Sequence, residues 1–122
     1  MNGMLDAAED RIVDVSDLEP GGMQVVEAAG LKILICNVEG RYYAVEDLCT
    51  HAAFPLSTGH LEGCVLECPV HGARFDVTDG SVVRRPALRP LSTFSVSDET
   101  GSDPSNSEGS KVRIRVHLGV PV

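Results

Sequence analysis

Long apolar stretches and helical periodicity are both missing from this 122-residue sequence. No apolar run approaches the roughly 20 residues that a membrane-spanning helix needs, and apolar positions do not recur at intervals of three and four. We therefore expect no membrane segment. The N-terminus, MNGMLDAAEDR, also lacks a basic patch followed by an apolar stretch, so we expect no secretory signal and a cytoplasmic location.

Basic residues are few, and this limits the kinds of partner. Lys and Arg number 10 against 18 Asp and Glu, and the formal net charge is −8. Residues 1–27 contain seven acids and a single base, Arg11. Such a surface repels nucleic acid, whereas opposite charge on a partner protein would speed encounter. We expect a protein partner and no nucleic acid; solubility alone would also account for the acidity.

Recognisable catalytic motifs are absent as well. The sequence shows no Ser-His-Asp set, nucleophile elbow, phosphate-binding glycine loop or paired carboxylates. We therefore do not expect the chain to be an enzyme by itself. In the cytoplasm its four cysteines would stay reduced, so a Cys/His pattern indicates metal binding before it indicates disulfides.

The sequence does contain short β-branched runs separated by Gly, Pro, Asp and Asn, which is typical of an antiparallel β-protein. The clearest run is 111–118, where apolar residues alternate with Lys, Arg and His. Turns are predicted at 20–22, 39–40 and 79–80, the last two as tight hairpins, and a flexible loop at 101–110. Strands are predicted at 11–15, 23–27, 31–38, 42–46, 64–67, 74–77, 81–83, 93–96 and 111–118.

The length fits one domain, so we expect a single domain over 1–122. Residues from about 48 to 90 differ from their flanks because their runs are shorter and their Gly, Pro and His are denser. We expect this stretch to form a compact subdomain on the β-scaffold.

Two short Cys/His motifs lie in that stretch: Cys49-x-His51 and Cys68-x-x-His71, with sixteen residues between them. Two thiolates and two imidazoles form a ligand set for a thiophilic metal centre. Structural zinc sites usually take both Cys from one knuckle and both His from another. Here each motif supplies one of each, which suits a diiron cluster with both thiolates on one iron and both imidazoles on the other. Zinc remains the alternative.

The segments CTH and CPVHGARFD resemble the two cluster-binding boxes of Rieske proteins, and the resemblance extends from about residue 11 to 116, including the lead-in GRYYAVED. It implies an all-β Rieske fold, with an antiparallel β-sandwich scaffold and a small cluster-binding subdomain. It also implies one 2Fe-2S cluster, with Cys49, His51, Cys68 and His71 as its ligands.

Rieske proteins of respiratory and photosynthetic complexes carry an extra Cys in each box, joined by a disulfide. Phe54 and Val70 stand at the matching positions here, so the chain is more similar to the soluble ferredoxins of bacterial ring-hydroxylating dioxygenase systems. High-potential members also have a Ser and a Tyr thought to donate hydrogen bonds near the second box. Ala73 and Phe75 cannot do so, which predicts a reduction potential in the lower part of the range of about −150 to +300 mV.

By that resemblance, the chain would be a monomeric electron carrier. Its donor would be a flavin-containing, NAD(P)H-dependent ferredoxin reductase, and its acceptor a terminal oxygenase with its own Rieske centre and mononuclear iron. Two alternatives stay open: a small Rieske-like subunit of an assimilatory nitrite reductase, and a structural zinc module.

The remaining Cys and His are not expected to be ligands. Cys36 and Cys64 are predicted to be core thiols, and His60 and His117 to be solvated. Arg84, Arg85 and Arg89 form a basic group in RRPALRP. This is either a solvated loop or, as the resemblance implies, a stiff proline loop beside the 2Fe-2S cluster that contributes to docking.

Overall fold

The computed structural model describes residues 10–50, 54–70, 72–85, 89–99 and 112–118. These ranges contain ten strands, one short 3-10 helix (Leu56–Thr58) and no α-helix. Within them, no helix has the length and apolar character to cross a membrane. The strands are β1 (Arg11–Asp14), β2 (Met23–Ala28), β3 (Leu31–Val38), β4 (Arg41–Glu46), β5 (His60–Glu62), β6 (Val65–Glu67), β7 (Arg74–Asp76), β8 (Val82–Arg84), β9 (Thr93–Asp98) and β10 (Arg113–His117).

The strands form two antiparallel sheets, which confirms the predicted fold class. The larger sheet has six strands in the order β1-β10-β9-β4-β3-β2, and the smaller has four in the order β5-β6-β7-β8. The two edges of the larger sheet approach each other, because the Arg11 guanidinium on β1 donates to the Glu27 carbonyl on β2 at 3.2 Å. The larger sheet therefore curls toward closure, which protects its edges from pairing with other chains.

Two hydrophobic cores share strand β3. Ile33 and Ile35 face the inner core, whose buried members come from β1, β3, β4 and β10 and the residue after β1. Leu34 and Cys36 face the intersheet core, so β3 is buried on both faces and reads as an almost continuous apolar run. The intersheet core consists of Leu34, Cys36, Val45, Cys49, Leu56, Leu61, Leu66, Cys68, Ala73, Phe75, Val77 and Leu91.

The predicted strands agree with the observed ones to within two residues at each end. Strand β5 was missed because its sequence, HLE, is short and has no β-branched residue. The hairpin turn at Glu39-Gly40 is confirmed, since both residues have positive φ, 53° and 93°. The turn at 79–80 is wider than predicted, because the chain between β7 and β8 runs over 77–81. The loop predicted at 101–110 lies outside the described residues.

Candidate metal centre

Cys49 lies on a loop that leaves the end of β4 and is tied back to it. We call residues 48–59 the Cys49 loop. The Cys49 amide donates to the Phe54 carbonyl at 2.9 Å. The buried carboxylate of Asp47 accepts hydrogen bonds from the Ser57 amide, at 2.7 Å, and the Ser57 hydroxyl, at 2.8 Å. One hydrogen bond therefore closes the loop on itself, and two others join its far end to Asp47, the residue that follows β4.

Cys68 lies at the start of the tip between β6 and β7, residues 68–73, which we call the Cys68 loop. Its amide donates to the Ala73 carbonyl at 2.8 Å, which closes the tip, and the Val70 backbone amide donates to its sulfur. Gly72 has φ +74°, a conformation that favours glycine. A residue without a side chain is therefore favoured where the chain leaves the second motif.

The two cysteines meet in the intersheet core. Cys49 is 1% exposed and Cys68 0%, and both belong to the same buried cluster. Burial raises the pKa of the Cys68 thiol above its ordinary value, and the neighbouring Cys49 adds to that rise. A metal centre that binds the Cys68 sulfur must therefore displace its proton. Two adjacent sulfurs on two closed loops fit the thiolate side of a diiron cluster.

The two predicted histidine ligands, His51 and His71, lie outside the described residues. Their neighbours in the chain are described. Thr50 precedes His51 and is half-buried, while half-buried Val70 and Gly72 flank His71. The structure thus brings Cys49 and Cys68 together, and the roles of the two histidines stay predictions.

A third segment contacts the Cys49 loop. The Thr50 hydroxyl donates to the Arg89 carbonyl at 2.7 Å, so residue 89 lies beside the first Cys/His motif. Arg84, Arg85 and Arg89 are all exposed, and residues 86–88 between them lie outside the described part of the chain. The backbone at Arg89 is therefore in contact with the Cys49 loop.

The other cysteines and histidines mostly occupy the predicted environments. Cys36 is fully buried, and burial, with a smaller contribution from the charge of Asp47, raises its pKa to about 12. Cys64 packs against the intersheet core but is only partly buried, and it lies in the turn before β6 and not in the strand. His60 is exposed, as predicted.

His117 differs from its prediction as a solvated side chain. It is half-buried; its Nδ1 lies 3.3 Å from Asp10 Oδ2 and its Nε2 2.9 Å from the Ser97 hydroxyl. Alternation along the strand identified the correct face. It could not show that residues from β9 and from before β1 would cover that face.

Sequence reasoning also missed Asp47 and Ser57, which anchor the Cys49 loop. Asp47 belongs to the lead-in to the first motif, but it directly follows Glu46, and two consecutive acids are typical of an exposed strand end. Its burial becomes visible only when the 3-10 helix packs against the end of β4.

Comparisons with known proteins give this centre a family. A model of the Rieske [2Fe-2S] domain matches residues 9–95. The ferredoxin component of biphenyl 2,3-dioxygenase from Rhodococcus jostii (strain RHA1) is 44% identical over 86 residues, which cover 70% of this chain and 80% of that protein. The ferredoxin component of the naphthalene 1,2-dioxygenase system of Pseudomonas putida is 38% identical over 87 residues, covering 71% and 84%.

Solved structures agree with the sequence matches. A chain in the complex of reduced oxygenase and oxidized ferredoxin in carbazole 1,9a-dioxygenase has a TM-score of 0.73 at 30% identity, covering 92% of this chain and 94% of that chain. The ferredoxin of carbazole 1,9a-dioxygenase from Nocardioides aromaticivorans IC177 has a TM-score of 0.71 at 26% identity, covering 88% and 94%.

This chain belongs to the Rieske [2Fe-2S] domain family. Within that family it is a ferredoxin, an electron-transfer protein that carries one 2Fe-2S cluster and is not itself an enzyme. The predicted Rieske fold is therefore confirmed. The family also decides between the two metal centres that the Cys/His spacing had left open, in favour of the diiron cluster over zinc.

Proposed function

We propose that this chain passes single electrons from a flavin-containing, NAD(P)H-dependent ferredoxin reductase to a terminal oxygenase that hydroxylates aromatic rings. It is the ferredoxin component of an aromatic dioxygenase system, as are its relatives. The observation that carries the proposal is that two buried cysteines, Cys49 and Cys68, share the intersheet core of a chain of the Rieske family. The names of those relatives favour a ferredoxin over a nitrite reductase subunit.

We propose Cys49, His51, Cys68 and His71 as the four ligands, with both thiolates on one iron and both imidazoles on the other. When bound, the 2Fe-2S cluster supplies a one-electron redox centre. The two sulfurs come from residues with almost no exposed surface. In the sequence each histidine follows its cysteine by two or three residues, and Pro69, next to Cys68, is exposed. We propose that the imidazoles form the outer side of the site and the exit for the electron.

Exposed apolar residues beside the site support docking of a partner there. Leu48 is 41% exposed and Phe54 39%, and they lie on either side of the first motif. Arg84 and Arg85 add exposed positive charge at the end of β8. Small apolar contacts together with charge complementarity favour fast, transient association, as an electron shuttle requires. A complex of oxygenase with ferredoxin is known for a similar structure, and this supports an oxygenase as the acceptor.

We also propose a reduction potential in the lower part of the Rieske range. Hydrogen bonds to the cluster sulfurs raise such potentials by stabilising the added electron. Ala73 and Phe75 are both fully buried next to the second motif, and neither side chain can donate. A redox titration that places the potential near the top of the range would contradict this part of the proposal.

Three further properties belong to the proposal. The chain acts as one domain over 1–122, with a cluster-binding subdomain at about 48–90 that includes the four-stranded sheet. It is monomeric, which its net charge of −8 favours. It works in the cytoplasm, where the free thiols of Cys36 and Cys64 would stay reduced.

The ligand assignment is tested by replacing one histidine at a time. His71→Ala should abolish the visible absorption bands of the purified protein, whereas His60→Ala, a matched change at an exposed histidine, should leave them intact. Wild-type protein should contain iron and acid-labile sulfide in equal amounts. A colourless wild-type protein, or a His71→Ala variant with an unchanged spectrum, would overturn the proposal.

A further inference from the structure

Asp47 is the one buried carboxylate in the described part of the chain, where the only other buried polar side chain is Asn37. It is 6% exposed. Its two oxygens accept hydrogen bonds from the amide and hydroxyl of Ser57, and no described cation forms an ion pair with it. A buried charge with neutral partners is costly, so its position next to the Cys49 loop calls for an explanation.

The contacts of Asp47 give it a mechanical role. Ser57 belongs to the 3-10 helix Leu56–Thr58, whose Leu56 is fully buried in the intersheet core. The two hydrogen bonds join this helix, which follows Cys49 in the chain, to Asp47, which precedes Cys49 and comes directly after β4. The loop carrying Cys49 and Thr50 is therefore held at both ends, and its geometry does not depend on bound metal alone.

The negative charge of Asp47 also acts on residues of the intersheet core. It contributes, after burial, to the raised pKa of Cys36, which shares the intersheet core with Cys49 and Cys68. Asp47 precedes Cys49 by two residues, so their Cα atoms are no more than about 7 Å apart. Water screens charge poorly in a buried environment of this kind.

We propose that Asp47 is a positioning residue for the Cys49 loop whose charge also lowers the reduction potential of the 2Fe-2S centre. Reduction adds one negative charge, and a neighbouring fixed negative charge opposes it. The inference rests on the proposed function, since it requires that Cys49 and Cys68 hold the 2Fe-2S cluster.

The test is the potential of Asp47→Asn, measured by spectroelectrochemical titration at fixed pH. The amide is isosteric and can bond to both Ser57 groups, so the loop stays tied while the charge is lost. We expect the equilibrium constant for reduction to rise about tenfold, which is about 59 mV for one electron. Glu46→Gln is the matched control, because Glu46 is the preceding acid but pairs with Ile33, on the inner-core face. It should change the constant less than twofold.

Each outcome bears on the inference. An Asp47→Asn variant with an intact Rieske spectrum and an unchanged potential would overturn it, and so would a Glu46→Gln shift of equal size. If Asp47→Asn assembles no 2Fe-2S cluster, Ser57→Ala provides the test instead. It keeps the charge of Asp47 and removes the hydrogen bond from the Ser57 hydroxyl. We then expect faster loss of iron to a chelator and a potential no higher than wild type; an unchanged rate or a higher potential would overturn the inference. Failure of the proposed function looks different, because the wild-type protein would itself lack the spectrum.

Discussion

Gly59 sets how closely the Cys49 loop packs on strand β6. It follows the 3-10 helix with φ −90°, outside the positive-φ region that favours glycine. The space around it is restricted: a Cβ at this position would lie 2.0 Å from the Glu67 carbonyl oxygen and 3.1 Å from that of Leu56. The backbones of the loop and of β6 touch here, one residue before Cys68.

We predict that Gly59→Ala is strongly destabilising. Ordinary contact begins at 3.4 Å, so the loop and β6 must separate by about 1.4 Å. Overpacking in a tight interior costs about 1–3 kcal/mol of stability. The atoms that the new Cβ would meet belong to the backbone, so no flexible side chain can move aside. We expect the free energy of unfolding to fall by the upper end of this range, about 3 kcal/mol, which lowers the folding equilibrium constant more than a hundredfold.

Gly63→Ala is the control. Gly63 has φ +61° but open space around its missing Cβ, so its cost is conformational, about 1–2 kcal/mol. Urea unfolding, followed by far-ultraviolet circular dichroism and by visible absorption, compares the two variants. A Gly59→Ala protein as stable as wild type, or no less stable than Gly63→Ala, would refute the steric argument.

Three other predictions concern the core, pH and docking. Phe75 is fully buried, so Phe75→Ala should lower the free energy of unfolding by about 3–5 kcal/mol in the same urea assay. Because the pKa of Cys36 is about 12 in the folded chain against an ordinary 9.0, only the unfolded thiol ionises as pH rises past about 9. Wild type should therefore lose about 1 kcal/mol more than Cys36→Ala between pH 9 and pH 10, and parallel stability curves would argue against this. Reversing Arg84 and Arg85 to Glu should slow electron transfer to the oxygenase about tenfold at low salt, with the visible spectrum unchanged. The prediction would be wrong if the stopped-flow rate of the Arg84/Arg85 variant equalled that of wild type. It would also be wrong if the control Arg41→Glu, at the start of β4, slowed the transfer equally.

Local patterns carried most of what could be predicted. The alternation along β10 and the Glu39-Gly40 turn depend on neighbouring residues only, and they were read correctly. The Cys/His motifs are local as well, because each consists of one Cys and one His only two or three residues apart in the sequence. The fold class and the metal centre could therefore be inferred before any pairing of strands was known.

What could not be predicted depends on contacts distant in sequence. The pairing of β1 with β10 joins opposite ends of the described chain, and β-branched runs do not indicate which run pairs with which. The hydrogen bond from Thr50 to Arg89 spans 39 residues. The burial of Asp47 and the partners of His117 arise in the same way, from elements that meet only in the folded molecule.

Strand β3 connects the two halves of the protein through alternate side chains. Ile33 and Ile35 contribute to one core, while Leu34 and Cys36 contribute to the other. Adjacent residues of one strand are therefore under different selective constraints. Substitutions at Ile33 or Ile35 would affect the stability of the larger sheet, and substitutions at Leu34 or Cys36 would affect the surroundings of the 2Fe-2S cluster. Evolution could therefore change the reduction potential through this strand without destabilising the scaffold.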